Sequence, residues 1–259
     1  MKIFDTHAHY DDERFDEDRT EILEQILPGS DVVNVTNIGC DMKTSEASVA
    51  FSEKYDYIYA AIGVIPHHVE GMTEADIDRL RELAKAHKKV VAIGEIGLDY
   101  YYDDPDRELQ KHWFVRQMEL ARELSLPLVI HSRESAQDTY QLMKQAHAEE
   151  VGGVVHCYSY TDEMAREFMR LGFYFGIGGA VTFKNNKKLK RAVAAIPLER
   201  IVLETDSPYL TPTPHRGKRN DSTYLPYVIA EIAGLKGVSE EEVAEVTLEN
   251  AKKLYRLTI

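Results

Sequence analysis

Short apolar, β-branched runs recur along the chain, and each gives way to a stretch with helical spacing. The runs predict strands at residues 2–5, 32–37, 58–62, 90–94, 127–130, 153–155, 173–176 and 201–204. Several are too apolar for a strand with one wet face, as expected of parallel strands covered on both sides. Helical patterns fall at 18–27, 74–86, 107–124, 134–146, 162–171, 187–195 and 223–255. The clearest carries Leu109, Trp113, Val115, Met118 and Leu120 at roughly helical spacing. Alternation of strand and helix implies parallel β-α units. Eight units in 259 residues average about 32 each, the size of a (β/α)8 repeat. No Pro/Gly/Ser-rich linker interrupts the pattern. The expected fold is therefore α/β: a single (β/α)8 TIM-barrel domain over residues 1–259. An open doubly wound sheet would carry a glycine-rich phosphate loop after the first strand. No GxGxxG or GxxxxGK[ST] stands there.

The polar residues fall where such a barrel keeps its chemistry. The first strand runs into Asp5-Thr6-His7-Ala8-His9 and the fourth into Gly94-Glu95-Ile96-Gly97-Leu98-Asp99. The fifth runs into His131-Ser132-Arg133, the sixth into His156-Cys157-Tyr158 and the eighth into Glu204-Thr205-Asp206-Ser207-Pro208. The C-terminal ends of barrel strands meet on one rim. His7 and His9 are two apart, so in extended backbone both side chains point the same way. One strand-end histidine is more often structural than a ligand. His7, His9, Glu95, His131, His156 and Asp206 delivered to one rim are a different matter. Imidazole and carboxylate suit zinc, manganese or magnesium, and six ligands exceed the needs of one tetrahedral ion. Two divalent ions about 3.5–4 Å apart, sharing a carboxylate, would use them all.

The segments DTHAHY, GEIGLDY, LPLVIHSRES, HCYS, LETDSPYL and RGKRN resemble, in order, those of the TatD family of metal-dependent deoxyribonucleases within the amidohydrolase-like barrels. The resemblance spans essentially the whole chain. It implies that the six residues are metal ligands with Glu95 bridging, and that the reaction is phosphodiester cleavage in nucleic acid, with 3′-exonuclease character. On that reading Asp206 and Glu95 are the catalytic carboxylates. Asp206 orients a metal-activated water and accepts its proton, and Glu95 holds the ions together. Two positions depart from the family pattern: Ile65, often a histidine, and Tyr160, where a small residue is common.

The formal net charge of −13 disfavours a polyanionic substrate unless positive charge is local. Two clusters supply it: Lys184, Lys187, Lys188, Lys190 and Arg191 after the seventh strand, and Arg216, Lys218 and Arg219 after the eighth. Barrels frequently bind phosphate in those loops. Arg133 is expected to clamp phosphate bidentately, with a structural salt bridge as the alternative. Arg133, Arg216, Lys218 and Arg219 are thus the expected substrate-binding residues, and DNA 3′ ends the expected partner. Two cysteines and no long apolar stretch lead to the expectation of a cytoplasmic protein without a membrane anchor or an obligate protein partner. Two rivals share the same ligands. One is an amidohydrolase acting on a C–N or lactone bond, though many of these place a carboxylated lysine where Glu95 stands. The other is a non-catalytic metal- or nucleic-acid-binding protein.

Overall fold

Each of the eight expected strands forms. The computed structural model describes residues 1–102 and 104–258. The strands are β1 Ile3–Ala8, β2 Val32–Ile38, β3 Ile58–Ile62, β4 Val90–Asp99, β5 Leu128–Arg133, β6 Gly153–Val155, β7 Tyr174–Ile177 and β8 Ile201–Leu203. They lie in one sheet in sequence order. The pairs β1–β2, β3–β4, β4–β5, β5–β6 and β7–β8 are parallel. Ala8 at the end of β1 bridges Ser207 just past β8, so the last strand lies beside the first. The helices are α1 Arg19–Glu21, α2 Met42–Lys54, α3 Glu74–Ala86, α4 Arg107–Leu124, α5 Ala136–Gln145, α6 Asp162–Arg170, α7 Lys187–Ala195, α8 Leu225–Lys236 and α9 Glu240–Leu254. This is the (β/α)8 order. Among the described residues no helix is long and apolar enough to cross a membrane.

The chain packs as two compact units. The first comprises Met1–Asn37, Cys157–Arg166 and Tyr174–Ile259. Its core holds Ile3, Phe4, Phe175, Val202, Ile229 and Val243, all essentially without exposed surface. Polar groups of α9 fasten it to the strands. Asn250 Nδ2 donates to the carbonyls of Leu198 and Ile201, each at 2.8 Å, and the Tyr255 hydroxyl donates to that of Thr6 at 2.8 Å.

The second unit comprises Ile38–His156 and Glu167–Phe173, with Ile62, Ile93, Leu98, Met118 and Ile130 in its core. Two buried glutamines of α4 complete the backbone bonding where β3 and β4 end. Gln117 accepts from the Val64 amide at 2.8 Å and donates to its carbonyl at 3.0 Å. Gln110 does the same for Asp99, at 2.9 and 3.1 Å. Backbone groups leaving a sheet need such partners when no water reaches them.

Two elements depart from the sequence pattern. Helix α2 was not expected, because its buried face is built of Ser45, Ser48, Val49 and Ser52 and carries no apolar period. Its start is nonetheless written in Asp41 and Thr44, which form a reciprocal capping box. The segment expected as one helix over 18–27 breaks after α1 into a π-helical turn, Ile22–Ile26, closed by the Leu27 amide on the Ile22 carbonyl at 2.9 Å.

Replacing Gln117 by Leu keeps the bulk and strands the buried Val64 amide and carbonyl. Denaturant titration should show a loss of about 1–3 kcal/mol. An unchanged midpoint would mean that water or a backbone shift satisfies Val64.

Candidate metal centre

In the first unit the His7-Ala8-His9 stretch is held against the segment that follows β8. The Asp206 amide donates to the His7 carbonyl and the His9 amide to that of Ser207, both at 2.9 Å. Beneath this ladder lies Asp5, fully buried. Its carboxylate accepts from the amides of His7 and Thr205 at 3.2 and 3.0 Å, and from the hydroxyls of Thr205 and Ser222 at 2.6 Å each. Burial pushes its pKa up to about 6 despite those four hydrogen bonds.

This scaffold presents three donor atoms on one side. His7 Nε2 and His9 Nε2 are 3.1 Å apart, with their rings edge to face. Asp206 Oδ1 lies 3.8 Å from the first and 3.4 Å from the second. The histidines are buried and Asp206 partly so. Ligands about 2.0–2.1 Å from a tetrahedral ion stand roughly 3.3 Å from one another, and the three separations bracket that spacing. The donor set fits a divalent cation.

In the second unit β4 and β5 bring Glu95 and His131 together. Gly97 pairs with His131 across the two strands. A β-carbon at Gly97 would lie 1.8 Å from the His131 carbonyl oxygen, so only glycine lets the strands approach here. His131 Nδ1 is 2.7 Å from Glu95 Oε1, and His156 Nε2 is 3.7 Å from the same oxygen. Ligand atoms of Glu95, His131 and His156 all lie within 4.8 Å of one another. On its other edge, His131 Nε2 is 3.0 Å from Asp99 Oδ2. The imidazole thus lies between two carboxylates. Burial opposes its protonation, but the hydrogen bonds to Asp99 and Glu95 win and raise its pKa to about 9. Burial likewise opposes ionisation of Asp99. His131, the Tyr102 amide and the charge of His67 reverse that, leaving the carboxyl at about 2. His67 Nε2 sits 3.1 Å from the same Asp99 oxygen. Burial keeps its own pKa below the usual value against the pull of Asp99.

Asp99 is a carboxylate of this cluster that sequence reasoning did not single out. It stands four residues after Glu95 in a strand, so the two side chains share a face. That spacing was the available signal.

The expected substrate-binding residues have diverse surroundings. Arg133 is exposed, with its guanidinium 3.9 Å from the Tyr101 ring centroid. Arg216 and Lys218 are exposed, and Arg216 stacks 3.6 Å over Phe183. Arg219 is engaged elsewhere. It forms a bidentate pair with Asp18 at 2.8 and 2.5 Å and donates to the Arg14 carbonyl, a structural tie for its loop. In the other cluster, Lys190 pairs with Glu231 at 2.7 Å and Arg191 with Asp162 at 2.7 Å.

Residues 4–256 match the family model described as TatD related DNase. The chain is 46% identical over 255 residues to an uncharacterized metal-dependent hydrolase, YabD, of Bacillus subtilis, covering 98% of this chain and 99% of that one. It is 33% identical over 258 residues to the 3'-5' ssDNA/RNA exonuclease TatD of Cronobacter sakazakii, covering 98% and 97%. The crystal structure of YJJV, a TatD homologue from Escherichia coli, superposes with a TM-score of 0.92 at 30% identity over 98% of both chains.

Two outcomes follow from the His131–Asp99 geometry. Carboxylates that hold a ligating histidine typically govern metal affinity, so Asp99→Ala should weaken divalent-metal binding by about 10–100-fold, read by competition with a chromophoric chelator. Equal affinity would make Asp99 a bystander. In metal-free protein, the raised pKa of His131 contributes stability that is full below its unfolded value of about 6.5 and fades as pH rises towards about 9. The melting-temperature advantage of wild type over His131→Gln should therefore shrink across that window. A constant difference would show that His131 is not charged there.

Proposed function

The chain belongs to the TatD family of metal-dependent hydrolases, and we propose that it cleaves phosphodiester bonds in single-stranded nucleic acid from the 3′ end. The reading joins both donor sets, His7, His9 and Asp206 with Glu95, His131 and His156, in one centre for two divalent ions. All six stand in the C-terminal half of a barrel strand or just beyond it. The observation that carries it is the His7–His9 pair: two buried imidazole nitrogens 3.1 Å apart facing a carboxylate suit a cation. The substrate class is supported by a relative named as a 3'-5' ssDNA/RNA exonuclease.

When bound, the ions would supply Lewis acidity, lowering the pKa of a water and drawing charge from phosphoryl oxygens. The chain supplies the rest. Asp206 turns its carboxylate towards His7 and His9, where it can orient the attacking water and take its proton at Oδ. Glu95 would hold metal beside His131 and His156. Arg216 and Lys218, exposed beyond β8, offset phosphate charge on an acidic protein. Arg219, through Asp18, keeps their loop in place. A glutamate at 95, in place of a carboxylated lysine, favours this reading over an amidohydrolase.

Purified without chelator and assayed on 3′- and 5′-labelled single strands, the protein should release nucleotides from the 3′ end. Chelator should abolish the activity and divalent metal restore it. In the same assay Asp206→Asn should lower kcat by at least about 100-fold while the fold survives. Turnover of cyclic amides or lactones without nucleic-acid cleavage would overturn the reading. Near-wild-type turnover by metal-saturated Asp206→Asn would remove Asp206 from the proton transfer.

A further inference from the structure

Beyond β4 the chain exposes two adjacent aromatic rings beside the Glu95–His131–His156 cluster. Tyr101 is 54% and Tyr102 61% exposed, more than is usual for large aromatic side chains. The rings meet edge to face at 5.0 Å. The Arg133 guanidinium lies 3.9 Å from the centroid of the first and 5.2 Å from that of the second, while the His67 ring supports Tyr102 edge-on at 5.2 Å.

The group is fixed in place. Asp99 Oδ1 accepts from the amides of Tyr101 and Tyr102 at 2.9 and 3.1 Å, while its Oδ2 holds His131. The Tyr100 amide donates to the Arg133 carbonyl at 2.9 Å, and the Tyr100 hydroxyl to Asp138 at 2.7 Å. One buried carboxylate thus sets both the ring-bearing turn and a ligand histidine.

We infer that Tyr101, Tyr102 and Arg133 form a stacking platform for an unpaired nucleobase of the strand being cut, an inference that rests on the nuclease reading. Flat rings beside a guanidinium suit the π-face of any base, and the cation suits the adjoining phosphate. A base locked in a duplex has no free face to offer, so the platform selects single strands without reading sequence. Arg133, expected to clamp phosphate, here also offers a stacking surface.

The test uses metal-loaded enzyme and two single-stranded oligonucleotides, one ordinary and one with abasic 3′-terminal nucleotides. Stacking binds ground and transition states alike, so it acts on KM. The Tyr101→Ala/Tyr102→Ala variant should raise KM for the ordinary strand by about 5-fold or more. Its kcat should stay within about two-fold of wild type, and its KM on the abasic strand should be unchanged. The Tyr101→Phe/Tyr102→Phe variant, which keeps the rings, should behave as wild type. If the double alanine variant melts early, Tyr102→Ala alone carries the same comparison. Wild-type KM in the alanine variant, or equal losses on both substrates, overturns the platform while leaving the nuclease reading intact. A wild-type enzyme that cuts neither strand overturns both.

Discussion

A polar group buried without a partner costs about 2–7 kcal/mol, and both units bury several at their strand ends. Each meets that constraint with a carboxylate outside the ligand set. In the first, Asp5 gathers four donors from the backbone and hydroxyls around His7, Thr205 and Ser222. In the second, Asp99 gathers His131 and two backbone amides. The His7 backbone and the His131 ring keep their orientation because these acids cannot move without stranding their own partners. Rigidity of the donor atoms is thus a by-product of satisfying the interior.

The supporting contacts extend outward in layers. Gln110 of α4 holds the backbone of Asp99 itself, so helix packing reaches the ligand face through one side chain. Glu204 repeats the device in the first unit, where its Oε1 accepts the Cys157 amide at 2.6 Å. Asn220 bonds the carbonyls of Thr205 and Tyr209 at 3.0 and 2.7 Å, which fixes the turn carrying Asp206. Loops that a strand count alone would leave loose are tied at their roots.

Much of this was legible in the chain, because apolar period and strand-end polarity are local signals. The strands near 58–62 and 153–155 and the helices at 74–86, 107–124 and 187–195 fall where the pattern put them. The strands β1, β4 and β5 run longer than their apolar runs, since the buried polar residues are themselves part of the ladder. What sequence could not show is partnership. Asp5 and Asp99 read as ordinary acids until their donors, up to 217 residues away, are in place. Arg219 read as a phosphate ligand because Asp18, its pair, is 201 residues distant. Helix α2 hid because serines face its core.

That serine face bears on how the chain can change over evolutionary time. A β-carbon at Gly39 would meet Ser45 Oγ at 2.3 Å, and one at Gly63 would meet the backbone of Gly94 at 2.9 Å. Ser45 in turn bridges the amide and carbonyl of Gly63, each at 3.1 Å. Neither glycine can enlarge first: an added β-carbon collides with a neighbour that has not yet moved, and shrinking Ser45 strands two backbone groups. The seam is a small epistatic lock in which single-step paths are closed, so drift in α2 is channelled to its outward face.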